Sequence, residues 1–205
     1  GNVMLDSISS QSLGILIPNT VIDNVCVVYA AGLCAWRIQN AQTLAVRARG
    51  LGSLGGMSQF SQCKLKTPIT VGPNDILVVY PRAVDATSND TNILAWLGTN
   101  RSTELFAGDT TADNTLTEIT SAVNAQSLGD MFFGDTLQYI CVQLEDGATC
   151  NSVALIDDAG GTVASWFGSV RAQAGSESNY FNFDARGLNI KIGKGWKIQV
   201  AATTA

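Results

Sequence analysis

The sequence predicts an all-β protein, a β-sandwich of jelly-roll type with at most one or two short helices. Three observations lead there. Short β-branched and aromatic runs, each entered through a turn residue, recur as Asn24-Val25-Cys26-Val27-Val28-Tyr29, Asp75-Ile76-Leu77-Val78-Val79-Tyr80 and Asp135-Thr136-Leu137-Gln138-Tyr139-Ile140. Turn clusters break the chain about every 8 to 12 residues, the spacing of a sandwich. Helical periodicity shows in a single stretch.

Residues 1–20 begin polar, with no helical period over Ser7 to Ser12, become apolar at Leu13-Gly14-Ile15-Leu16-Ile17, and predict an extended N-terminal arm ahead of a β-sandwich domain over 21–205. Val25 to Tyr29 predicts a strand that bends at Ala30-Ala31-Gly32 and returns through Leu33 to Gln39. Thr43 to Arg49 alternates, with Leu44, Val46 and Ala48 on one face, as a strand with one wet face does. Gly50 to Ser58 is glycine-rich, but no strand-to-helix context or Lys-Ser/Thr pair follows that would make it a phosphate cradle, so it reads as a surface loop.

Pro68 interrupts the run from Lys64 to Val71 and marks it as an edge strand or bulge. Beyond the turn Gly72-Pro73-Asn74-Asp75 lies the most strand-like run, Ile76 to Tyr80. Ile93 to Gly98 and Thr103 to Ala107 form a hairpin around Thr99 to Ser102. Thr115-Leu116-Thr117-Glu118 has capping-box form, and Leu116, Ile119 and Val123 recur at helical spacing up to Gly129, which places the helix there. Strands resume at Thr136 to Leu144, Val153 to Ile156, Val163 to Phe167, Tyr180 to Phe183, Leu188 to Ile192 and Trp196 to Ala201. A gapless internal repeat is suggested between 75–108 and 135–168, which sets Asp75 on Asp135, Leu77 on Leu137 and Phe106 on Trp166.

Composition narrows function. Hydrophobic residues make up 46% of the 205 and charged residues 14%, against a usual charged share of about a quarter. So little charge leaves neutral surface that assembly would cover. The net charge of −5 and scattered Lys and Arg argue against nucleic acid. The longest uncharged apolar run, Asn24 to Trp36, is shorter than the roughly 20 residues a membrane helix needs, and no targeting signal is visible, so no membrane partner is expected.

Histidine is absent, which removes the commonest general base and zinc ligand together. Cys26, Cys34, Cys63, Cys141 and Cys150 fit no zinc frame. They read as small buried apolar residues in a reducing compartment; the alternative pairs Cys26 with Cys34 and Cys141 with Cys150 across hairpins. Asp109, Asp113 and Asn114 are off the spacing of an EF-hand loop. Asp157-Asp158 sits in a glycine-containing turn and is explained by turn chemistry. The expectation is a protein that is not an enzyme and takes no cofactor or metal.

Apolar crowding is more informative. Met131, Phe132 and Phe133 are consecutive, and in a strand would load both faces, so an interface is expected there. Leu5, Ile15, Leu16 and Ile17 of the arm are the other candidate contacts. The competing function, sugar stacking, would use Trp36, Trp96 and Tyr180 as platforms.

An acidic, histidine-free β chain rich in Gly, Ala, Thr and Asn, with an apolar arm and the closing run Gly195-Trp196-Lys197-Ile198-Gln199-Val200, resembles the jelly-roll decoration (cement) proteins of tailed-bacteriophage heads. The resemblance is one of texture along the whole chain and transfers no residue roles. It implies a homotrimer on the capsid surface, bound to the major capsid protein and made in the host cytoplasm. Phage tail-fibre heads and carbohydrate-binding sandwiches share the texture and imply glycan binding instead.

Overall fold

The structure, a computed structural model, describes residues 1–25, 27, 29, 32–52, 64–83, 90–110, 112–145, 148–167 and 183–203. It is all-β with two short helices, as expected, and its described residues fall into two compact units, 1–83 and 90–203.

The first unit holds β1 (Asn2–Met4), α1 (Leu13–Leu16), β2 (Val21–Asn24), β3 (Gly32–Asn40), β4 (Val46–Gly52), β5 (Lys64–Thr70) and β6 (Asp75–Ala83). Its strands form one sheet in the order β1-β6-β3-β4 and a second, β2-β5, all antiparallel. β1, β3, β4 and β6 lie in the first sheet and β2 and β5 in the second, and the first strand pairs with the last. Alternate residues of β3, Cys34, Trp36 and Ile38, point inward with Val79 of β6, and Leu13, Ile22, Val25, Val27, Tyr29 and Ile69 pack on them.

The second unit holds β7 (Thr91–Thr99), β8 (Thr103–Thr110), β9 (Thr117–Ser121), α2 (Leu128–Phe132), β10 (Thr136–Leu144), β11 (Thr149–Ile156), β12 (Thr162–Phe167), β13 (Phe183–Lys191) and β14 (Lys197–Thr203). These strands form a single antiparallel sheet in the order β12-β11-β14-β9-β8-β7-β10-β13. The sheet curls until its two end strands meet: Trp166 of β12 and Phe183 of β13 have ring centroids 6.0 Å apart. The enclosed face carries Ile93, Leu97, Phe106, Ile119, Leu137, Ile140, Val153, Leu155, Ile198 and Val200.

The two units contain the same module twice. Residues 2–83 and 117–203 repeat the order strand, short helix, five strands, and they repeat the pairings: β1-β6 as β9-β14, β2-β5 as β10-β13, β3-β6 as β11-β14, and β3-β4 as β11-β12. The registers agree residue for residue. Asn2, Val3 and Met4 face Val79, Val78 and Leu77; Thr117, Glu118 and Ile119 face Val200, Gln199 and Ile198. Val21 and Ile22 face Thr70 and Ile69; Thr136 and Leu137 face Lys191 and Ile190, and a bulge follows each pair at the same step.

Backbone details repeat too. Gly14 of α1 and Gly129 of α2 lie so close to the turn before the last strand that an added Cβ would meet Gly72 O and Asp75 N in one repeat, Gly193 O and Trp196 N in the other. The Asn19 N–H donates to Val71 O at 2.8 Å, and the Gly134 N–H to Ile192 O at 3.0 Å. Ser10 and Asn19 have φ of 55° and 62°, and their counterparts Ala125 and Gly134 have 58° and 81°.

Several sequence expectations are corrected. The repeat does not relate 75–108 to 135–168: on that alignment Ile93, which faces Gly108, would match Val153, which faces Trp166, a register two residues off. Thr117–Ser121 is a strand, because Ile119 sits at the sheet face opposite Ile198; the helix lies later, at Leu128–Phe132, with the Ser127 hydroxyl accepting from the Asp130 N–H at 3.3 Å. Residues 41–45 form a turn, not strand: Asn40 Oδ1 accepts the Gln42 and Thr43 N–H groups, and Leu44 is left-handed at φ 60°. Residues 1–20 are not an extended arm: β1 pairs with β6, and Leu13–Leu16 is a helix that packs on the turn before β6. Between 21 and 29 the paired strand is Val21–Asn24, with Cys26 and Val28 outside the described residues.

Candidate functional site

The expected contact residues separate by environment. Leu5, Ile15 and Leu16 are exposed, and Ile17 is half-buried. Helix α2 turns about 100° per residue, so Met131, Phe132 and Phe133 take different environments instead of alternating across a strand. Phe132 is 3% exposed and sits 6.2 Å from the Phe106 ring, which removes it as an interface residue. Met131 is half-buried, and Phe133 is 60% exposed.

The sugar platform is lost. Trp36 is 4% exposed and Trp96 2%, so neither ring has a face to offer, and Tyr180 lies outside the described residues. Trp36 is inside because its indole fills the space over Gly50, where a Cβ would come within 2.5 Å of the ring. Of the glycine-rich stretch, Gly50 to Gly52 belong to β4 and the remainder lies outside the described residues.

Two buried carboxylates anchor strand starts. Asp75 accepts from Arg47 Nη1 at 2.6 Å and from the Gly72 N–H at 2.7 Å, while Arg47 Nη2 reaches the Thr70 carbonyl at 2.6 Å. Arg47 thus ties β4 to the β5–β6 turn. Asp135 accepts from Arg101 and, at 3.2 Å, from the Thr99 hydroxyl, which holds the β7–β8 turn on the head of β10. Both Asp75 bonds fall on Oδ2, and its Oδ1 is buried without a hydrogen-bond partner among the described residues.

Where β10 bulges against β13, Gln138, Tyr139, Arg186, Gly187 and Leu188 line a shallow depression of about 320 Å³. Arg186 pairs with Asp184 at 2.9 Å, and the Cys141 thiol donates to Asp184 at 3.0 Å. Burial pulls the Arg186 pKa down, but the Asp184 hydrogen bond and nearby negative groups outweigh it and raise it. Cys34, Cys141 and Cys150 are buried reduced thiols, so the Cys141–Cys150 bridge is not formed; burial pushes Cys150 up to about 12, far from a reactive thiolate. Cys26 and Cys63 lie outside the described residues, as does Ser61 of Ser61-Gln62-Cys63-Lys64, a Ser–Lys spacing that sequence reading passed over. Among the described residues no cluster of His, Cys, Asp or Glu is arranged to hold a metal, and no helix is long and apolar enough to cross a membrane.

The feature sequence reading missed is a pair of exposed turns at equivalent places in the two repeats. Ile8 is 93% exposed and its counterpart Val123 is 68% exposed. Each turn is pinned from below: Asp6 accepts the Ile8 and Ser9 N–H groups at 3.1 and 2.7 Å, and the Ser121 hydroxyl accepts the Val123 N–H at 3.3 Å. The Ser9 N–H, with its hydroxyl and the Ile8 N–H, holds the Asp6 carboxyl below its ordinary pKa. Each turn presents a large aliphatic side chain to water, at equivalent positions of the two repeats. The sequence did carry a sign of the repeat that places these turns: Gln11-Ser12-Leu13-Gly14 recurs as Gln126-Ser127-Leu128-Gly129, and Val25-Cys26-Val27 recurs as Ile140-Cys141-Val142.

Comparison with protein-family models, with curated proteins and with solved structures finds no match for this chain.

Proposed function

We propose that this chain is a non-enzymatic structural protein of a virus particle, a decoration protein that acts as a homotrimer on a phage capsid and clamps neighbouring major capsid protein subunits. The observation that carries the reading is the matched pair of exposed apolar turns at Ile8 and Val123 on rigid antiparallel frames. Covering such a side chain stabilises a contact by about 1.5–3 kcal/mol. Several modest contacts in one trimer act together, because the first to dock raises the effective concentration of the rest. Binding only the assembled shell adds stability to the shell and not to its free subunits. Exposed Phe133, Ile15 and Leu5 extend the same apolar character. Sugar binding has no comparable support once Trp36 and Trp96 are inside.

The test is to strip and re-add the chain on its source particle. Wild type should form trimers by light scattering and raise the temperature of shell rupture. The Ile8→Asp, Val123→Asp double variant should fold, by circular dichroism, yet restore little of that protection. Unchanged rupture with and without the chain would end the decoration reading.

A further inference from the structure

The two repeats differ in one part. In the second, the hairpin β7–β8 is inserted between β9 and β10: β8 pairs with β9 through Phe106↔Ser121 and Ala107↔Thr120, and β7 pairs with β10 from Leu144↔Ile93 to Leu137↔Thr99. The strands equivalent to β9 and β10 in the first repeat are β1 and β2, and among the described residues no strand lies on the outer edge of either.

The consequence shows in the side chains. Leu137, Ile140, Val142 and Leu144, which line β10 beneath the hairpin, are at most 1% exposed. Their counterparts Ile22, Val25, Val27 and Tyr29 are all half-buried. It shows in the backbone too. The Ala122 N–H donates to the Leu105 carbonyl of β8 at 2.8 Å, whereas Ser7, its counterpart, has no such bond among the described residues. Beside it Val3, Met4 and Leu5 are about half exposed, and Val21 more so.

We infer that the space between the outer edges of β1 and β2 is a strand-addition site, and that its occupant is a β-hairpin donated by a partner protein. The second repeat states the chemistry of that occupant. One strand runs antiparallel to β1 and one antiparallel to β2, with apolar side chains at alternate positions like Ile93, Ala95 and Leu97, and a large one opposite, like Phe106. Main-chain hydrogen bonds along both edges supply affinity, and the half-buried Ile22, Val25 and Val27 supply the pockets that select apolar over polar partners. The inference stands whether or not the chain decorates a capsid.

Amide exchange on the full chain tests it, with a synthetic peptide of residues 90–110 as the donated hairpin. In the free chain the Ser7 amide should exchange at least about a hundredfold faster than Ala122, as an unpaired edge does. Adding the peptide should slow Ser7 and the outer amides of β2 toward their counterparts, and a Leu97→Asp, Phe106→Asp peptide should not. A version with the hairpin joined ahead of Gly1 by a flexible Gly/Ser linker, which raises its effective concentration, guards against weak binding. Three results would overturn the inference: Ser7 as protected as Ala122 in the free chain, protection that grows with chain concentration without peptide and so marks a second molecule as the occupant, or no protection from the tethered hairpin.

Discussion

The two repeats solve one packing problem in opposite ways. At the same register of the same strand pair, the first repeat sets Trp36 on β3 opposite Gly50 on β4, and the second sets Val153 on β11 opposite Trp166 on β12. One indole per repeat fills the space, but it comes from opposite strands. The glycine makes room for the ring in the first repeat, and the smaller valine does so in the second. The pair is therefore the unit that is kept, and the fold constrains summed volume more tightly than residue identity. The second lesson is coverage. Equivalent apolar positions are sealed where β7 and β8 lie over them and half-open where no described strand does, so the repeats should differ in how much each position contributes.

The largest expected effect follows from coverage. Leu137→Ala removes a side chain that is 0% exposed and should cost about 2–5 kcal/mol, the range for a buried leucine. Ile22→Ala, at the equivalent half-buried position, should cost about half as much. Urea unfolding of the two variants measures this, and equal losses would remove the distinction between the repeats. If they unfold in separate transitions, each loss belongs to its own transition.

The exchanged indole is next. Trp36→Val should open a cavity over Gly50 and cost about 3 kcal/mol or more, within the range for large-to-small changes. Gly50→Trp alone overpacks and should cost about 1–3 kcal/mol. The double variant recreates the arrangement of the second repeat, so its loss should be smaller than the sum of the two, by at least about 1 kcal/mol. Strict additivity in melting experiments would show that the two sites do not share one volume.

The smallest effect separates the turns by pH. Asp6 holds the first turn and Ser121 the second. The Asp6 pKa is lowered from 3.8 by its hydrogen bonds, so its hold is present above 3.8 and is lost as pH falls through the lowered value. The hydroxyl of Ser121 does not titrate. Exchange at the Ser9 amide, corrected for its intrinsic pH dependence, should therefore quicken in acid while that at Val123 does not. Parallel behaviour of the two amides would mean that Asp6 is incidental to the turn.

Much of the fold was legible. Strand runs such as Leu33 to Gln39 and Ile93 to Gly98 carry their own β-branched and aromatic signal, and Pro68, read as the mark of an edge strand or a bulge, lies in β5, whose one pairing among the described residues is with β2. The failures were local signals overruled by tertiary ones. Thr115 to Glu118 looks like a cap, but Ile119 gains more by facing Ile198 in the sheet than a short helix would supply. Leu44 is a poor left-handed residue, and only the turn closed by Asn40 explains it. The repeat was placed wrongly because Asp75 and Asp135 are both buried, Arg-paired carboxylates at strand starts, a likeness of role at positions that are not equivalent. The true repeat is carried by pairing register, which the sequence shows only in Gln-Ser-Leu-Gly and in Val-Cys-Val against Ile-Cys-Val. The turn at Ile8 was missed because a single Ile between polar residues has no periodicity to read, and the turn at Val123 because its spacing from Leu116 and Ile119 reads as helical.

Each repeat closes by pairing its first strand with its last, and that has a consequence for synthesis on the ribosome. β1 has no partner until β6 has emerged, and β9 none until β14 has. Contacts so distant in sequence form slowly. During the wait two edges with interchangeable registers coexist on one nascent chain, so β9 can meet β6 before its own partner exists. Tandem copies are prone to this misassembly. Divergence at Trp36, Gly50, Val153 and Trp166 acts against a different exchange: β3 paired with β12 would hold two indoles in one space, and β11 paired with β4 none.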